Sequence, residues 1–145
     1  MMHQTEDQFI NGLGDALASW NLRRATGRVY GYLLLRTEPS TSEELRANLG
    51  LSAGAVSTST RELVLWGLAR TIPQPGSRRL LVEAGGGFEQ LLAASHERAR
   101  GFIRTLRTGR ALARGQAEAR LDDVADLFEA YIESGDDMLR RHRET

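Results

Sequence analysis

The chain contains no cysteine and no lysine, only three prolines, few aromatic residues and no net charge. Without cysteine there is no disulfide framework, no thiolate metal site and no thiol redox sensor. The absence of lysine makes all nineteen basic residues arginine, a bias that fits either a GC-rich genome or a preference for bidentate phosphate contacts. Nineteen acidic residues balance them, so attraction to a polyanion has to come from local placement of charge. No run is apolar over the ~20 residues needed to span a bilayer. The start, from Met1 to Asp7, lacks the basic and apolar regions of a secretion signal, and a cytoplasmic protein is expected.

Catalytic patterns are missing as well. His3, His96 and His142 are too scattered to make a ligand cluster, and no helical histidine pair or nucleophile elbow is present. His96 and Glu97 read as surface or interface residues. Gly85-Gly-Gly87 lacks the lysine and the helix-opening serine or threonine of a phosphate loop, and reads as a hinge-like linker. An enzyme is not expected, and neither is a metal or another cofactor.

What is present is organised along the chain. At 145 residues and 41% hydrophobic content, the sequence fits one globular domain, or a small one with an extension for assembly. Phe9, Leu13, Ala16, Leu17 and Trp20 recur at helical spacing and predict a core or assembly helix. After a break at residues 23–26, Gly27 to Arg36 reads as a strongly apolar helix, with Leu33, Leu34 and Leu35 suggesting burial on most sides. Ser40 and Thr41 each precede a glutamate by three residues, the capping-box spacing that opens a short helix; Asn48 and Gly50 can end it.

The next helix opens at Ser52, whose hydroxyl can accept from a first-turn amide. Val56, Thr60 and Leu63 share its inner face, and Trp66 and Leu68 close the core beyond it. Ala53, Gly54, Ser57, Thr58 and Arg61 are left outside, either as an ordinary solvated surface or as a reading face. Gly54 favours the second reading, since a helical glycine costs about 1 kcal/mol relative to alanine and a close backbone approach would explain it. Leu68 to Ile72 and Leu80 to Glu83 predict a hairpin with Arg78 and Arg79 at its tip. A tip arginine is either solvated or, beside a helix-turn-helix, placed to reach a phosphate or the minor groove. Residues 51–82 hold four arginines against one glutamate, a positive balance that the whole chain hides.

These segments resemble one family. Gly27-Arg-Val-Tyr-Gly-Tyr-Leu-Leu-Leu35, Ser52-Ala-Gly-Ala-Val-Ser57, Arg61-Glu-Leu63, Trp66-Gly-Leu68 and Pro75-Gly-Ser-Arg78 together resemble the GbsR-like branch of the MarR transcriptional regulators. The resemblance covers about residues 24–84. It implies a winged helix-turn-helix repressor that binds a pseudo-palindromic operator as a homodimer and answers to a small molecule held between the dimer helices and the reading lobe. Trp20, Tyr30, Tyr32 and Phe88 are the aromatic residues expected to border that effector site, plain core packing being the other reading. Ala53, Ala55 and Ser59 stand where larger polar residues are more typical of the family, so fewer base contacts are expected.

Beyond residue 87, two long helices are expected, from Phe88 to about Leu112 and from about Gln116 to Arg141. Their apolar residues include Leu91, Leu92, Ala99, Phe102, Ile103 and Leu106 on the first and Leu121, Val124, Leu127, Phe128, Tyr131 and Ile132 on the second. Arg100, Arg104, Arg107 and Arg114 form one stripe, and Asp122, Asp126, Glu129 and Glu133 another. Mutual pairing of the stripes, in a helical hairpin or across a dimer, explains them more simply than a second nucleic-acid surface.

The expected architecture is therefore mainly α with a small β-hairpin wing. Residues 1–23 form an N-terminal dimerisation helix, 24–84 a winged helix-turn-helix lobe, and 85–145 a C-terminal helical dimerisation region. Double-stranded DNA is the expected partner, contacted by Ser52, Ala53, Gly54, Ser57, Thr58 and Arg61 in the major groove and by Arg78 and Arg79 from the wing. No membrane association is expected. The rival reading is a winged-helix adaptor for protein partners that has lost operator recognition, favoured by the neutral total charge and the small Ala53 and Ala55.

Overall fold

The computed structural model describes residues 4–144, so His3 lies outside the described residues. The chain divides into two compact units, one ending at Phe88 and the other beginning at Glu89.

The first unit opens with α1 (Gln4–Ala18) and α2 (Arg24–Leu34), the pair with the most extensive contact in the molecule. Glycine makes their close crossing possible: a Cβ at Gly27 would lie 2.5 Å from the carbonyl oxygen of Leu13, and one at Gly14 would lie 3.0 Å from that of Arg24. The inner face of α1 is consequently Ile10, Gly14 and Leu17, whereas Phe9 and Ala16 are exposed. The sequence reading tilted that face because it counted large apolar residues and passed over the glycine at the seam. The second helix begins at Arg24, inside the expected break, and buries Thr26. Leu33 is buried but Leu34 and Leu35 are exposed, contrary to expectation. Three successive helical residues point in directions about 100° apart, so one core cannot cover them all.

The helix α3 (Ser42–Leu49) starts at Thr41, whose hydroxyl accepts from the Glu44 amide at 3.1 Å. Ser40 does not share the cap; its N–H and C=O exchange 2.8 Å hydrogen bonds with Val82. Gly50 ends the helix in the left-handed region at φ 65°, where a side chain would be strained. Then α4 (Ala53–Leu65) starts at Ser52, which accepts from the Ala55 amide at 3.1 Å. Its buried face is Val56, Ser59 and Leu63, and Leu68 is buried just beyond. The strands β1 (Ala69–Pro73) and β2 (Leu80–Ala84) pair antiparallel, with Thr71 opposite Val82, and residues 74–79 form the loop.

Gly85-Gly-Gly87 is not a loose hinge. The Gly85 amide donates to the Leu68 carbonyl at 2.8 Å and the Gly87 amide to the Gly67 carbonyl at 2.9 Å. A Cβ at Gly87 would overlap that carbonyl, so these glycines are there for close backbone packing.

The second unit contains most of α5 (Phe88–Gly109), a 3-10 turn at Arg110–Leu112, and α6 (Gln116–Glu144). Gly115 turns the chain at φ 62°. Ile103, Ala125 and Ile132 form a small core with Ala99, Leu106 and Phe128 around it, and Phe102 meets Phe128 edge-on at 5.1 Å. Charge pairs flank this core. Arg107 donates to Glu129 at 2.5 Å and to Asp126 at 3.2 Å, and Arg110 reaches Glu118 at 3.1 Å and Asp122 at 3.2 Å. Arg100 pairs with Glu97 at 3.2 Å and with Asp136. Because partner numbers fall as arginine numbers rise, the two helices run antiparallel. Pairing of the expected stripes is therefore partial: Arg107 meets Asp126 and Glu129, whereas Arg100 takes Glu97 and Asp136, Arg104 takes Glu97, and Arg110 meets Asp122. His96 sits at the interface of the two helices. Its ring is largely covered, lies 2.8 Å from Asp136 through Nδ1, and packs where a Cβ at Gly135 would stand 2.6 Å away.

Candidate nucleic-acid interface

The turn at Gly50 and the cap at Ser52 fix where α4 begins, and its buried face fixes its rotation. Ser52, Ala53, Gly54, Ser57 and Arg61 are thereby left exposed, with Thr58 half-buried beside them. The Arg61 guanidinium folds back along the helix and donates to the Ser57 hydroxyl at 3.1 Å, a contact that a stronger acceptor can displace. A Cβ at Gly54 would meet nothing closer than the Ser52 hydroxyl at 4.0 Å. Among the described residues, no packing requires that glycine. Ser59 does not belong to this face. It is buried, and its hydroxyl accepts from Thr26 at 3.3 Å, tying α4 to α2. Ala55 is half-buried, so its small size follows from packing as well.

The hairpin presents Arg78 and Arg79, both exposed. The Arg79 amide donates to the Ser77 hydroxyl at 3.0 Å, which shapes the end of the loop. Its guanidinium lies 3.9 Å from Glu43 of α3, a well-solvated pair worth little in water. Arg78 has no partner among the described residues. Arg70, lower on the hairpin, pairs at 2.6 Å with Glu83, its cross-strand neighbour.

A groove of about 460 Å³ runs between α3, α4 and the hairpin. Val56, Val64, Leu80 and Val82 give it apolar walls, while Arg46, Arg61 and Ser57 border it. The Thr60 hydroxyl, placed on the inner face by the sequence reading, lines the groove and is buried with no hydrogen-bond partner among the described residues. Arg46 is the residue that sequence reasoning missed. It is an exposed arginine in the last turn of the helix before α4, and that position was the available signal. With Arg61 at the groove and Arg79 reaching Glu43 across it, the arrangement gathers guanidinium groups around a helix with a small-residue face. Such a surface can admit a polyanion closely and pair with it in bidentate fashion.

No family model matches the chain. It is 36% identical over 73 residues to the HTH-type transcriptional regulator MmpR5 of Mycobacterium tuberculosis, a match covering 50% of this chain and 44% of that protein. It is 27% identical over 90 residues to the putative HTH-type transcriptional regulator YvaV of Bacillus subtilis, covering 62% of this chain and 51% of that one. The chain thus spans about half the length of the curated relatives it matches. A crystal structure described as a transcriptional regulator superposes on it with a TM-score of 0.69 at 27% identity, covering 97% of this chain and 99% of the other. The fold is that of a winged-helix transcriptional regulator.

In this regulator fold the aromatic residues expected at an effector site separate into two groups. Trp20 meets Phe88 edge-on at 6.0 Å, and Tyr30 lies 6.3 Å from the same ring, so these three form one cluster. Tyr32 is engaged elsewhere. Its ring lies under the Arg36 guanidinium at 4.4 Å, and its hydroxyl accepts from Asn48 Nδ2 at 2.9 Å. Among the described residues, no helix is long and apolar enough to cross a membrane.

Proposed function

We propose that this protein regulates transcription as a member of the MarR family, in its GbsR-like branch, by reading a pseudo-palindromic operator as a homodimer. The observation that carries this reading is α4: a helix capped at its own start and preceded by a glycine-stopped turn, glycine-bearing where no packing among the described residues needs glycine, and flanked by exposed arginines. Ser52, Ala53, Gly54, Ser57 and Thr58 approach the major groove, Arg61 pairs with a guanine or a phosphate, and Arg78 and Arg79 follow the backbone or the minor groove. Two copies are needed because a pseudo-palindrome offers its half-sites about one DNA turn apart.

The second unit supports dimerisation. Phe102, Leu112, Val124, Leu127, Tyr131 and Met138 are exposed on or between its helices, more apolar area than two antiparallel helices cover for each other. In this reading the helical unit contributes to the dimer interface, α1 contributes separately, and the protein acts on DNA in the cytoplasm. The family resemblance further implies repression relieved by a small molecule. The Trp20, Tyr30 and Phe88 cluster supports a ligand of aromatic or cationic character, with Tyr32 outside the site.

Electrophoretic shift with the DNA upstream of the protein's own gene tests the reading. A retarded complex that survives excess scrambled duplex at moderate salt is the expected result. Equal competition by both duplexes would favour the adaptor reading, in which the winged helix docks onto another protein.

A further inference from the structure

Two polar connections run in parallel from α1 through α2 to the last turn of α3, immediately before the proposed reading helix. In one, the Arg28 guanidinium donates through Nε to Asn11 of α1 at 3.0 Å and through Nη1 to the Leu49 carbonyl at 3.2 Å. In the other, Glu6 of α1 holds Arg36 at 3.1 Å, Arg36 lies over the Tyr32 ring, and the Tyr32 hydroxyl accepts from Asn48. Leu49 and Asn48 are the final two residues of α3, and Ser52, the cap of α4, follows three residues later. The last carbonyls of a helix lack partners inside it, so Arg28 supplies what the Leu49 carbonyl needs while fixing where the turn sits.

We propose that Arg28 and Tyr32 are positioning residues for operator reading: they register the α3–α4 turn on the α1–α2 frame and so set the angle at which α4 meets DNA. The frame is suited to the task, because its helices cross at glycine with backbone almost touching and have no room to slide. Neither residue needs to touch DNA; Tyr32 is 2% exposed. Their effect is therefore on the fit of α4 to its site and not on the number of phosphate contacts. The inference rests on the DNA-reading function proposed above, but the local part of it does not.

The test compares wild type with Tyr32→Phe, which deletes one hydroxyl, and with Arg28→Met, which keeps the stem and removes the donors. Affinity for operator and scrambled duplexes is measured across salt, alongside hydrogen exchange of the amides from residue 49 to 55. Loss of one hydrogen bond of ordinary strength should lower operator affinity about three- to tenfold in Tyr32→Phe, with affinity for scrambled DNA and the salt slope unchanged. Exchange should quicken at residues 49–55 and stay as in wild type along the hairpin. Adding Asn48→Ala to Tyr32→Phe should produce no further loss, since both remove the same bond. Equal falls on both duplexes, or an unaltered operator preference with unaltered exchange at the turn, would overturn the proposal. Should wild type itself show no operator preference, the DNA-reading function fails, and exchange at residues 49–55 alone decides whether the two residues register the turn.

Discussion

The two units solve the problem of burial differently. Among the described residues, fourteen buried hydrophobic ones lie up to Phe88, Val29, Leu45, Leu63 and Leu68 with almost no exposure among them; beyond Phe88 there are five. The first unit packs four helices and a hairpin around a core of its own, and its polar ties are few and specific. The second relies on flanking ion pairs around a small core; both leave large apolar side chains in solvent, Leu65 in the first and Leu112, Leu127 and Tyr131 in the second. Charge pairs at a surface contribute little to stability, typically below ~1 kcal/mol each, so the ladder of Arg107 and Arg110 selects the register of α5 and α6 without supplying what their apolar faces lack. The contrast teaches that the first unit carries most of the buried core, and on the function proposed above the helical unit is the part that a second copy would cover.

Removing residues 116–145 should break that contrast most severely. It takes away α6 and uncovers Ile103 and Leu106, and the truncated chain is expected to lose dimerisation and to become insoluble. Sedimentation of the intact chain should give a dimer at micromolar concentration. A soluble truncated chain together with a monomeric intact one would contradict the division of roles.

Substitutions matched in size sharpen the comparison. Leu63→Ala creates a cavity in the lobe and should cost about 2–5 kcal/mol of folding stability, read as a lower denaturation midpoint independent of protein concentration. Leu127→Ala, on a side chain that is 68% exposed, should leave the monomer's own stability nearly unchanged and weaken dimerisation, so that its midpoint falls more steeply on dilution. If Leu63→Ala proves neutral, the lobe does not carry its core as described.

Smaller still is the expected response to acid. Burial alone would raise the Asp136 carboxyl, but the His96 hydrogen bond, the Arg100 and His96 charges and the Arg100 hydrogen bond together hold it below the usual aspartate value of 3.8. A carboxyl lowered by folding contributes stability that is fully present above its unfolded value and is lost as pH falls through the folded one. The helical unit should therefore weaken below about pH 4, the ordinary aspartate range, and Asp136→Asn should flatten that acid limb. Helix content followed by circular dichroism from pH 6 to pH 2 checks this, and an unchanged acid limb in the variant would assign it to other carboxylates.

Much of the fold was legible because local chemistry and global packing agree at the same residues. The Thr41 and Ser52 caps, the Gly50 stop, the Gly115 turn and the arginine-tipped hairpin are each specified by side-chain types that satisfy a backbone need on the spot. What escaped the sequence depends on distant partners. Nothing near Ser59 announces Thr26, and nothing near Tyr32 announces Asn48 or Arg36. Glycines misled in both directions: Gly14 conceals the inner seam of α1, and the triple glycine that suggested slackness is clamped on the Gly67 backbone. The exposed face of α4 was visible as a pattern of small residues, but Arg46 joined its surroundings only once α3 was laid beside α4.

In the proposed function the outward face of α4 reads sequence while the hairpin arginines supply attraction. Equilibrium binding of Arg61→Ala and Arg78→Ala to operator and scrambled duplexes tests it directly. Arg61→Ala should lose about 1–3 kcal/mol on the operator and much less on the scrambled duplex, while Arg78→Ala should weaken both alike and reduce the salt slope by about one. Unchanged affinity for both duplexes in both variants would contradict the assignment of this face to DNA.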